Sequence, residues 1–238
     1  MCFQRVSERG GAAREPPRRF PGARQKGSGG LAGSYPLERP DAAGGKGTGI
    51  MQRGNPCCHI LRRTRFGPAV ILWEARSDRP TVRQILISRP GQPAEISLKA
   101  QFPDSVPSSC GLIDDLAGRI AAFLEGADVR FALEHVQLDL CPPFQHKVLL
   151  AEYAIPRGQV STYRRMAAHL GVPGGARAVG NALATNPFPI VIPCHRAIRS
   201  DGTLGGYQGG LAMKRVLLEQ EGVVIDERGR VRSPKLYY

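Results

Sequence analysis

Cys194 stands among groups that could make it a nucleophile. It follows the apolar run 190–192 and Pro193, and it precedes His195 and Arg196. A thiol attacks as its thiolate, which a neighbouring base and a positive charge both favour. Because adjacent side chains on an extended chain point to opposite sides, a Cys–His pair here requires a local turn or a bridging water. A buried cysteine that only packs in a core is the other interpretation, and these residues leave both open.

A carboxylate behind His195 would complete such a site. The segment GLAMKRVLLEQEG, residues 210–222, predicts a helix that ends at Gly222, and it carries Glu219 and Glu221 near that end. Either glutamate could orient the histidine as the third group behind a base. The preceding GGYQGG, residues 205–210, is either a flexible connector or a loop that lets backbone approach a ligand closely.

Three helical patterns precede this segment. PFQHKVLLAEYAI, residues 143–155, predicts a helix that stops before a Pro-Arg-Gly turn, and STYRRMAAHLG, residues 161–171, begins with N-cap residue types and ends at a glycine. After the turn VPGG, ARAVGNALAT, residues 176–185, predicts a second short helix. The last two helices fit a helix-turn-helix, a pattern that other helical hairpins share. The arginines Arg164, Arg165 and Arg177 favour DNA binding.

The overall charge also indicates an acidic partner. The 238 residues carry a formal net charge of +13, which is typical of proteins that bind nucleic acid and less often of proteins that bind anionic membranes. No apolar run is long enough to span a bilayer, and the sequence predicts a soluble protein. None of the six cysteines lies in a CxxC pair, so we expect free thiols in a reducing compartment. A zinc site at Cys57-Cys58-His59 is the less favoured alternative, because no second half of such a site is evident.

Residues 1–56 form a basic leader rich in Gly, Pro, Ala and Arg. The leader shows no apolar periodicity and contains ten Lys and Arg against four Asp and Glu. Such a composition cannot bury enough apolar surface to offset its ordering entropy, so the leader is predicted to be disordered. Two alternatives are a transit peptide, which the acidic residues disfavour, and a true translation start at Met51.

Residues 57–140 predict a small α/β domain. PAVILWEA (68–75) and VRQILISR (82–89) read as strands, and EISLKA (95–100) and ALEHVQLDL (132–140) are interpreted as two further strands. SCGLIDDLAGRIAAFLEG (109–126) predicts a helix that ends at its glycine. The predicted fold class is therefore α/β (α+β): this N-terminal domain, followed by a mostly helical domain over 141–238 that contains the helix-turn-helix.

The segment NPFPIVIPCHRAIRSDGTLGGYQGGLAMKRVLLEQEG, residues 186–222, resembles the active-site segment of the O6-alkylguanine-DNA alkyltransferases, also called methylated-DNA–protein-cysteine methyltransferases. The resemblance continues back through TYRRMAAHLGVPGGARAVGNALATNP and FQHKVLLAEYAIPRGQVSTY, and it covers about residues 143–225. Residues 57–140 fit the family's N-terminal domain only loosely, chiefly through RTRFGPAVIL. The resemblance implies DNA repair by direct reversal of damage.

The resemblance assigns chemical roles to five residues. Cys194 would accept an alkyl group from O6 of guanine irreversibly, so that each molecule acts once. His195 would take the thiol proton through a water, and Glu221, rather than Glu219, would orient His195. Tyr163 would donate a hydrogen bond to N3 of the guanine. Asn186 would tie the recognition helix to the active-site strand.

Other residues would bind the DNA and the extruded base, because a base inside a duplex hides its O6 group. Arg177 would fill the gap in the base stack, and small residues on the recognition helix would allow close approach to the minor groove. Tyr207 and Gln208 would line the alkyl pocket, and the Ala197 carbonyl would accept from the guanine amino group. The predicted DNA-binding and substrate-binding residues are Arg177, Tyr163, Ala178, Gly180, Arg196, Ala197, Tyr207 and Gln208.

The resemblance also implies a partner and a setting. The partner would be double-stranded DNA that contains O6-alkylguanine, with O4-alkylthymine as a further candidate substrate, and no cofactor, metal or membrane is expected. We expect a monomer, in the cytoplasm of a bacterium or the nucleus of a eukaryote. The alternative function is a non-catalytic sensor of alkylated DNA, a class in which the cysteine is replaced.

Two residues depart from the family pattern. Leu149 stands where a tryptophan is usual, which should affect packing rather than chemistry. Gly175 stands where alanine is usual, and it is expected to loosen the start of the recognition helix by up to about 1 kcal/mol.

Overall fold

The computed structural model describes residues 57–76, 79–232 and 235–238. The predicted leader, with both of its alternatives, lies outside these residues. Within them, no helix is both long enough and apolar enough to cross a membrane.

A four-stranded sheet is built from the first half of the described chain. Its order is β3-β2-β1-β4, with β1–β2 and β2–β3 antiparallel and β1–β4 parallel. The strands are β1 Cys58–Arg62, β2 Ala69–Arg76, β3 Arg79–Ile87 and β4 Val106–Pro107. The predicted strands PAVILWEA and VRQILISR are confirmed as β2 and β3.

Both faces of β2 are buried, which explains its continuous apolar run. Because successive side chains of a strand point to opposite faces, Val70 and Leu72 pack in a small cluster beneath helix α1, Ala94–Gln101. Ile71 belongs to the main core, which also includes the apolar face of helix α2, Gly111–Leu124. Helix α2 was predicted, and Gly126 follows it with a φ of +103°, as the helix-ending glycine requires.

The prediction of a strand at EISLKA was wrong, since this segment lies within α1. Ile96 and Leu98 alternate with polar residues as in a strand, yet Leu98 is buried and Ile96 is 54% exposed. A short run cannot separate the strand period from the helix period, and here the neighbouring face of the sheet decided between them. The buried positions follow helix spacing: Ala94, Ser97 and Leu98.

The prediction of a strand over residues 132–140 was also wrong. Its pairing with β3 is limited to a single bridge between Val136 and Val82, where the Val82 N–H donates to the His135 carbonyl and the Gln137 N–H donates to the Val82 carbonyl. The chain then turns through a 3-10 helix, Leu138–Leu140. The alternating pattern therefore forms one bridge with β3 and no ladder, because the chain turns away directly after it.

The second half of the described chain is mostly helical, as predicted. Two short strands pair in parallel there. The elements are α3 Pro143–Tyr153, β5 Ser161–Thr162, α4 Tyr163–His169, α5 Ala176–Ala184, β6 Ala197–Ile198 and α6 Gly210–Gln220.

Helices α4 and α5 form the predicted helical hairpin. Thr162 caps α4, because its hydroxyl oxygen accepts a hydrogen bond from the Arg165 N–H at 3.1 Å. Gly171 follows α4 with a φ of +73°. Gly175 is the N-cap of α5, and a Cβ there would lie 2.9 Å from the Val172 carbonyl oxygen. The expected loosening at Gly175 was therefore wrong: glycine is well tolerated at an N-cap, and the contact favours it over alanine.

One main hydrophobic core contains residues from both halves, among them Ile113 and Phe123 from α2 and Val148 and Leu149 from α3. Leu149, at the usual tryptophan position, is fully buried. The two halves thus pack together, and the division at 140/141 stays a prediction.

Candidate active site

A tight turn presents Cys194. The apolar run before it is a turn bounded by a bridge between Pro189 and Ile192, whereas the resemblance implied an active-site strand there. Ile190 has a φ of +75°, which is uncommon for a β-branched residue. A 3-10 helix, Cys194–Arg196, follows directly. It supplies the local turn that a Cys–His pair requires.

The thiol of Cys194 is buried, with 5% of the residue exposed. Burial raises the pKa of this thiol to about 12, while the side chain of Asn186 and the charge of Lys214 act in the opposite direction. The resting group is therefore a protonated thiol, and it needs a base before it can attack.

His195, the next residue in the chain, has an imidazole that can accept a proton. Its Nε2 lies 2.9 Å from Oε1 of Glu221, and the imidazole is fully buried. Burial lowers the pKa of His195, although the hydrogen bond and charge of Glu221 partly offset this effect. The ring is thus neutral near pH 7 and can accept a proton. Its Nδ1 makes no hydrogen bond to any described residue, which leaves that nitrogen available.

Glu221 is held as a carboxylate by the cation of Arg196 and by its hydrogen bond with His195. Arg196 donates through Nε to Oε2 at 2.9 Å and through Nη2 to Oε1 at 2.8 Å. Burial by itself would raise the pKa of Glu221, but the contacts with His195 and Arg196 bring it down to about 2. Glu219 faces elsewhere: its side chain is 44% exposed and pairs with Arg215. The structure therefore brings Glu221, and not Glu219, to the histidine.

Asn186 connects three segments around the thiol. Its side-chain amide donates to the Ile192 carbonyl at 3.1 Å, and its oxygen accepts from the Phe188 N–H at 2.9 Å. Gln208, in the glycine-rich loop, donates to the Asn186 carbonyl at 2.8 Å. Asn186 is 2% exposed, so these bonds fix the end of α5, the turn before Cys194 and the loop in one arrangement.

A cavity of about 650 Å³ opens over Cys194. It lies between the helical hairpin and the glycine-rich loop, and Tyr163 lines it. Burial raises the pKa of Tyr163 to about 12, so its hydroxyl is a neutral hydrogen-bond donor. The lining comprises Arg89, Tyr163, Arg164, Ala176, Arg177, Gly180, Asn181, Leu183, Ala184, Cys194, Arg199, Ser200, Gly206, Tyr207 and Gln208.

Several of the predicted binding residues line this cavity. Arg177, Gly180, Tyr207 and Gln208 are among them, while Ala178 lies exposed on the same helix and outside the lining. Tyr207 presents a buried hydroxyl that has no hydrogen-bond partner among the described residues, and burial raises its pKa well above the usual value. The cavity thus has neutral phenolic donors inside it.

Two predicted binding residues have other partners. Arg196 directs its guanidinium at Glu221 and at the Ile155 carbonyl, and it lies outside the cavity lining. Arg196 is the counter-charge of Glu221, and its binding of DNA or substrate stays a prediction. The Ala197 carbonyl already accepts a hydrogen bond from Lys214, which leaves one of its lone pairs for a ligand.

Sequence reasoning missed the arginines Arg89 and Arg199 at the cavity and two buried charges behind it, Glu152 and Lys214. A signal for the buried charges was present. Lys214 lies three and four residues before buried leucines of α6, and Glu152 lies four residues after Val148, so each falls on the apolar stripe of its helix.

No group of three or more metal-ligating side chains lies together within the described ranges. Cys57, Cys58 and His59, the residues of the zinc alternative, lie within these ranges and do not form such a group.

Comparisons with known proteins agree with this geometry. Residues 143–223 match the family model "6-O-methylguanine DNA methyltransferase, DNA binding domain". The chain is 47% identical over 129 residues to the methylated-DNA–protein-cysteine methyltransferase of Methanothermobacter thermautotrophicus, covering 54% of this chain and 71% of that protein. The Salmonella typhimurium protein of the same name is 54% identical over 83 residues, covering 35% of this chain and 48% of its own length.

Solved structures are similar as well. The crystal structure of Mycobacterium tuberculosis O6-methylguanine methyltransferase is 30% identical, with a TM-score of 0.56, covering 69% of this chain and 92% of that one. A crystal structure of the Mycobacterium tuberculosis OGT in complex with DNA is 29% identical, with a TM-score of 0.53, covering 68% and 91%.

Proposed function

The chain belongs to the family of methylated-DNA–protein-cysteine methyltransferases, and on that premise we propose that Cys194 is the residue that accepts the alkyl group. The protein acts in DNA repair by alkyl transfer. The observation that carries the assignment of Cys194 is its position on the cavity, next in the chain to a neutral imidazole that is hydrogen-bonded to an ionised carboxylate.

The transfer is a displacement at carbon. The sulfur of Cys194 attacks the alkyl carbon on O6 of guanine; the S–C bond forms, the C–O6 bond breaks, and the electron pair stays on the base. The thiol proton goes to Nδ1 of His195 through a water, and Glu221 stabilises the resulting imidazolium. Tyr163 donates a hydrogen bond to the base as negative charge develops on it. The restored guanine takes up one proton in place of the one that the thiol lost, so no soluble cofactor is needed.

The substrate is guanine extruded from a DNA duplex. Extrusion is required because O6 in a paired base is inaccessible to a buried thiol. Arg177, exposed at the cavity on the recognition helix α5, is the group that fills the gap in the stack. Arg89, Arg164 and Arg199 line the same cavity and give it a positive potential that suits the phosphates on either side of the flipped nucleotide.

The protein would act as a monomer, because one chain supplies the acceptor, the base and the cavity lining. It would work where the DNA is, in the cytoplasm of a bacterium or the nucleus of a eukaryote. A non-catalytic sensor of alkylated DNA is the less favoured alternative, since a sensor has no use for a cysteine with a base and carboxylate behind it.

Mass spectrometry tests the proposal. The protein is mixed with a short duplex that carries one O6-methylguanine, beside a Cys194→Ala control. One added methyl per protein, on the peptide that contains Cys194 and absent from the control, is expected. Unmodified protein that still binds the damaged duplex would instead support the sensor.

A further inference from the structure

The start of α4, where Tyr163 lies, is joined by two short strands to the turn that presents Cys194. Tyr163 is the first residue of α4 and follows β5 directly, and Ser161 of β5 lies opposite Ala197 of β6. Ala197 is the first residue after the 3-10 helix that contains Cys194. The pairing of β5 with β6 therefore relates the phenol to the thiol through two short pieces of backbone.

The segment 235–238 holds the same piece of chain. The Val160 N–H donates to the Lys235 carbonyl at 3.1 Å, and the Tyr237 N–H donates to the Val160 carbonyl at 2.9 Å. The hydroxyl of Ser161, a fully buried residue, donates to the Tyr237 carbonyl at 2.8 Å. The chain that leads into α4 is therefore held by this segment as well as by β6.

Tyr238 extends this contact to the other end of α4. Its ring stacks on that of His169, the last residue of α4, with the ring centroids 3.8 Å apart and the planes inclined by 25°. Its hydroxyl donates to the Ala151 carbonyl at 2.8 Å. This carbonyl lies in the last turn of α3, where a helix leaves its carbonyls short of donors of its own. The segment thus contacts the chain at both ends of α4, and Tyr238 fixes one of those ends to α3.

We propose that Tyr238 is a positioning residue of the alkyl-transfer site: together with the backbone of residues 235–237, it holds α4 where the Tyr163 hydroxyl can donate to the extruded base. The inference rests on the proposed function, in which Tyr163 makes that donation. Tyr238 lies outside the lining of the cavity, so it acts through Tyr163 and does not touch the substrate. Its effect can still be large, because a displacement of about 1 Å can slow a reaction by about a hundredfold.

The first measurement is the maximal rate at which free O6-benzylguanine alkylates Cys194. Tyr163→Phe should lower this rate by about tenfold to a hundredfold, the factor for one hydrogen bond to a developing charge. Tyr238→Ala should lower it by up to about tenfold, the factor for one lost aromatic stack. Tyr238→Phe keeps the ring over His169 and loses only the hydroxyl, so its rate should lie between those of Tyr238→Ala and the wild type.

The double variant separates positioning from a general structural role. Once Tyr163→Phe has removed the hydroxyl, Tyr238→Ala has nothing left to misplace, so it should have little further effect on the rate. The same loss of rate with and without the Tyr163 hydroxyl would overturn the proposal, because a residue that only supports the fold slows both proteins equally.

Two control variants should react as the wild type does. Tyr153→Phe removes a matched bond, that from the Tyr153 hydroxyl to the Phe131 carbonyl at 2.5 Å, away from the lining of the substrate cavity. Leu236→Ala removes a side chain of the same segment that is 40% exposed. A loss of rate in Leu236→Ala equal to that in Tyr238→Ala would contradict a specific role for the tyrosine.

The second measurement, amide hydrogen exchange in the unreacted protein, does not depend on alkylation. The Arg165 N–H, which donates to the Thr162 hydroxyl at 3.1 Å, reports on the start of α4. In Tyr238→Ala it should exchange about twofold to tenfold faster than in the wild type, while the amide of Ile120 inside α2 keeps its rate. An unchanged rate at Arg165 overturns the proposal, and so does an equal increase at Ile120, which would indicate a general loosening.

The two measurements also distinguish this inference from the proposed function. A wild type that is never alkylated, in a series where Tyr238→Ala still accelerates exchange at Arg165, would overturn the proposed function and leave the hold of Tyr238 on α4 standing. A wild type that is alkylated, with Tyr238→Ala reacting at the same rate, would overturn the positioning role alone.

Discussion

The hydroxyl oxygen of Tyr163 lies 2.8 Å from the point that a Cβ on Gly205 would occupy. Gly205 also has a φ of +70°, a conformation that L side chains rarely adopt. Two independent constraints therefore keep this position without a side chain, and one of them is the phenol that is expected to face the leaving base. The glycine-rich loop is thus shaped around Tyr163 as well as around a ligand.

Gly205→Ala should slow alkyl transfer, because the new methyl group must displace the Tyr163 hydroxyl. The matched control is Gly91→Ala: Gly91 has a φ of +72°, but nothing lies within 4 Å of its Cβ position. Both variants should lose about 1–2 kcal/mol of folding free energy from backbone strain. Only Gly205→Ala should lose rate with O6-benzylguanine in single-turnover assays, and equal rates for the two variants would contradict the role of the contact.

Glu221→Gln should reduce the rate of alkyl transfer by a factor of about 10²–10⁴, the range for loss of general-base function. The amide cannot stabilise an imidazolium on His195, and it leaves Arg196 without its counter-charge. Thermal unfolding should also show a loss of about 3–5 kcal/mol, as expected when a buried ion pair loses one partner. Glu219→Gln, at the exposed glutamate two residues earlier, serves as the control and should change neither quantity appreciably.

Stability should depend on pH through Glu221. Its pKa in the folded state, about 2, lies below the ordinary value of 4.5, so the unfolded chain binds more protons between these values and stability rises with pH there. The stabilisation is fully present above about pH 4.5 and amounts to about 3 kcal/mol; it is lost as the pH falls toward 2. Denaturant unfolding at a series of pH values should show this slope in the wild type and a shallower one in Glu221→Gln.

Arg177→Ala should weaken repair of a duplex more than it weakens reaction with free O6-benzylguanine, since only the duplex requires a gap in the stack to be filled. Lys99→Ala, which removes one positive charge from the last turn of α1, controls for the net charge and should affect both substrates little. An equal loss on both substrates in Arg177→Ala would count against the proposed role of the arginine.

Gly175→Ala should destabilise the protein or leave its stability unchanged, although alanine is the better helix former. The added Cβ would meet the Val172 carbonyl oxygen at 2.9 Å, and this oxygen already accepts the Gly175 N–H. The control is Gly118→Ala inside α2, where no atom lies within 4 Å of the position that the new Cβ would occupy. It should stabilise the protein by about 0.5–1 kcal/mol. Chemical denaturation of both variants gives the change in the free energy of unfolding for each, and the two changes should not both be stabilising.

The sequence by itself determined the features that depend on neighbouring residues. The N-cap at Thr162, the helix ends before Gly126, Gly171 and Gly222, and the continuous apolar strand β2 were all predicted from local patterns. The segment around Cys194 indicated the chemistry because its residue types and spacing are unusual together. These signals act over a few residues, so they can be read without knowledge of the fold.

Only the tertiary structure decided which distant groups meet. Residues 94–101 form helix α1 where a strand was expected, because one face of the sheet packs against the buried side of that helix. The tertiary structure turned Arg196 inward onto Glu221, 25 residues away, and it buried Glu152 and Lys214 from two separate helices around Ala197. The charge and burial of such groups depend on partners that are remote in the chain, and a local pattern contains no information about which partners the packing will bring together.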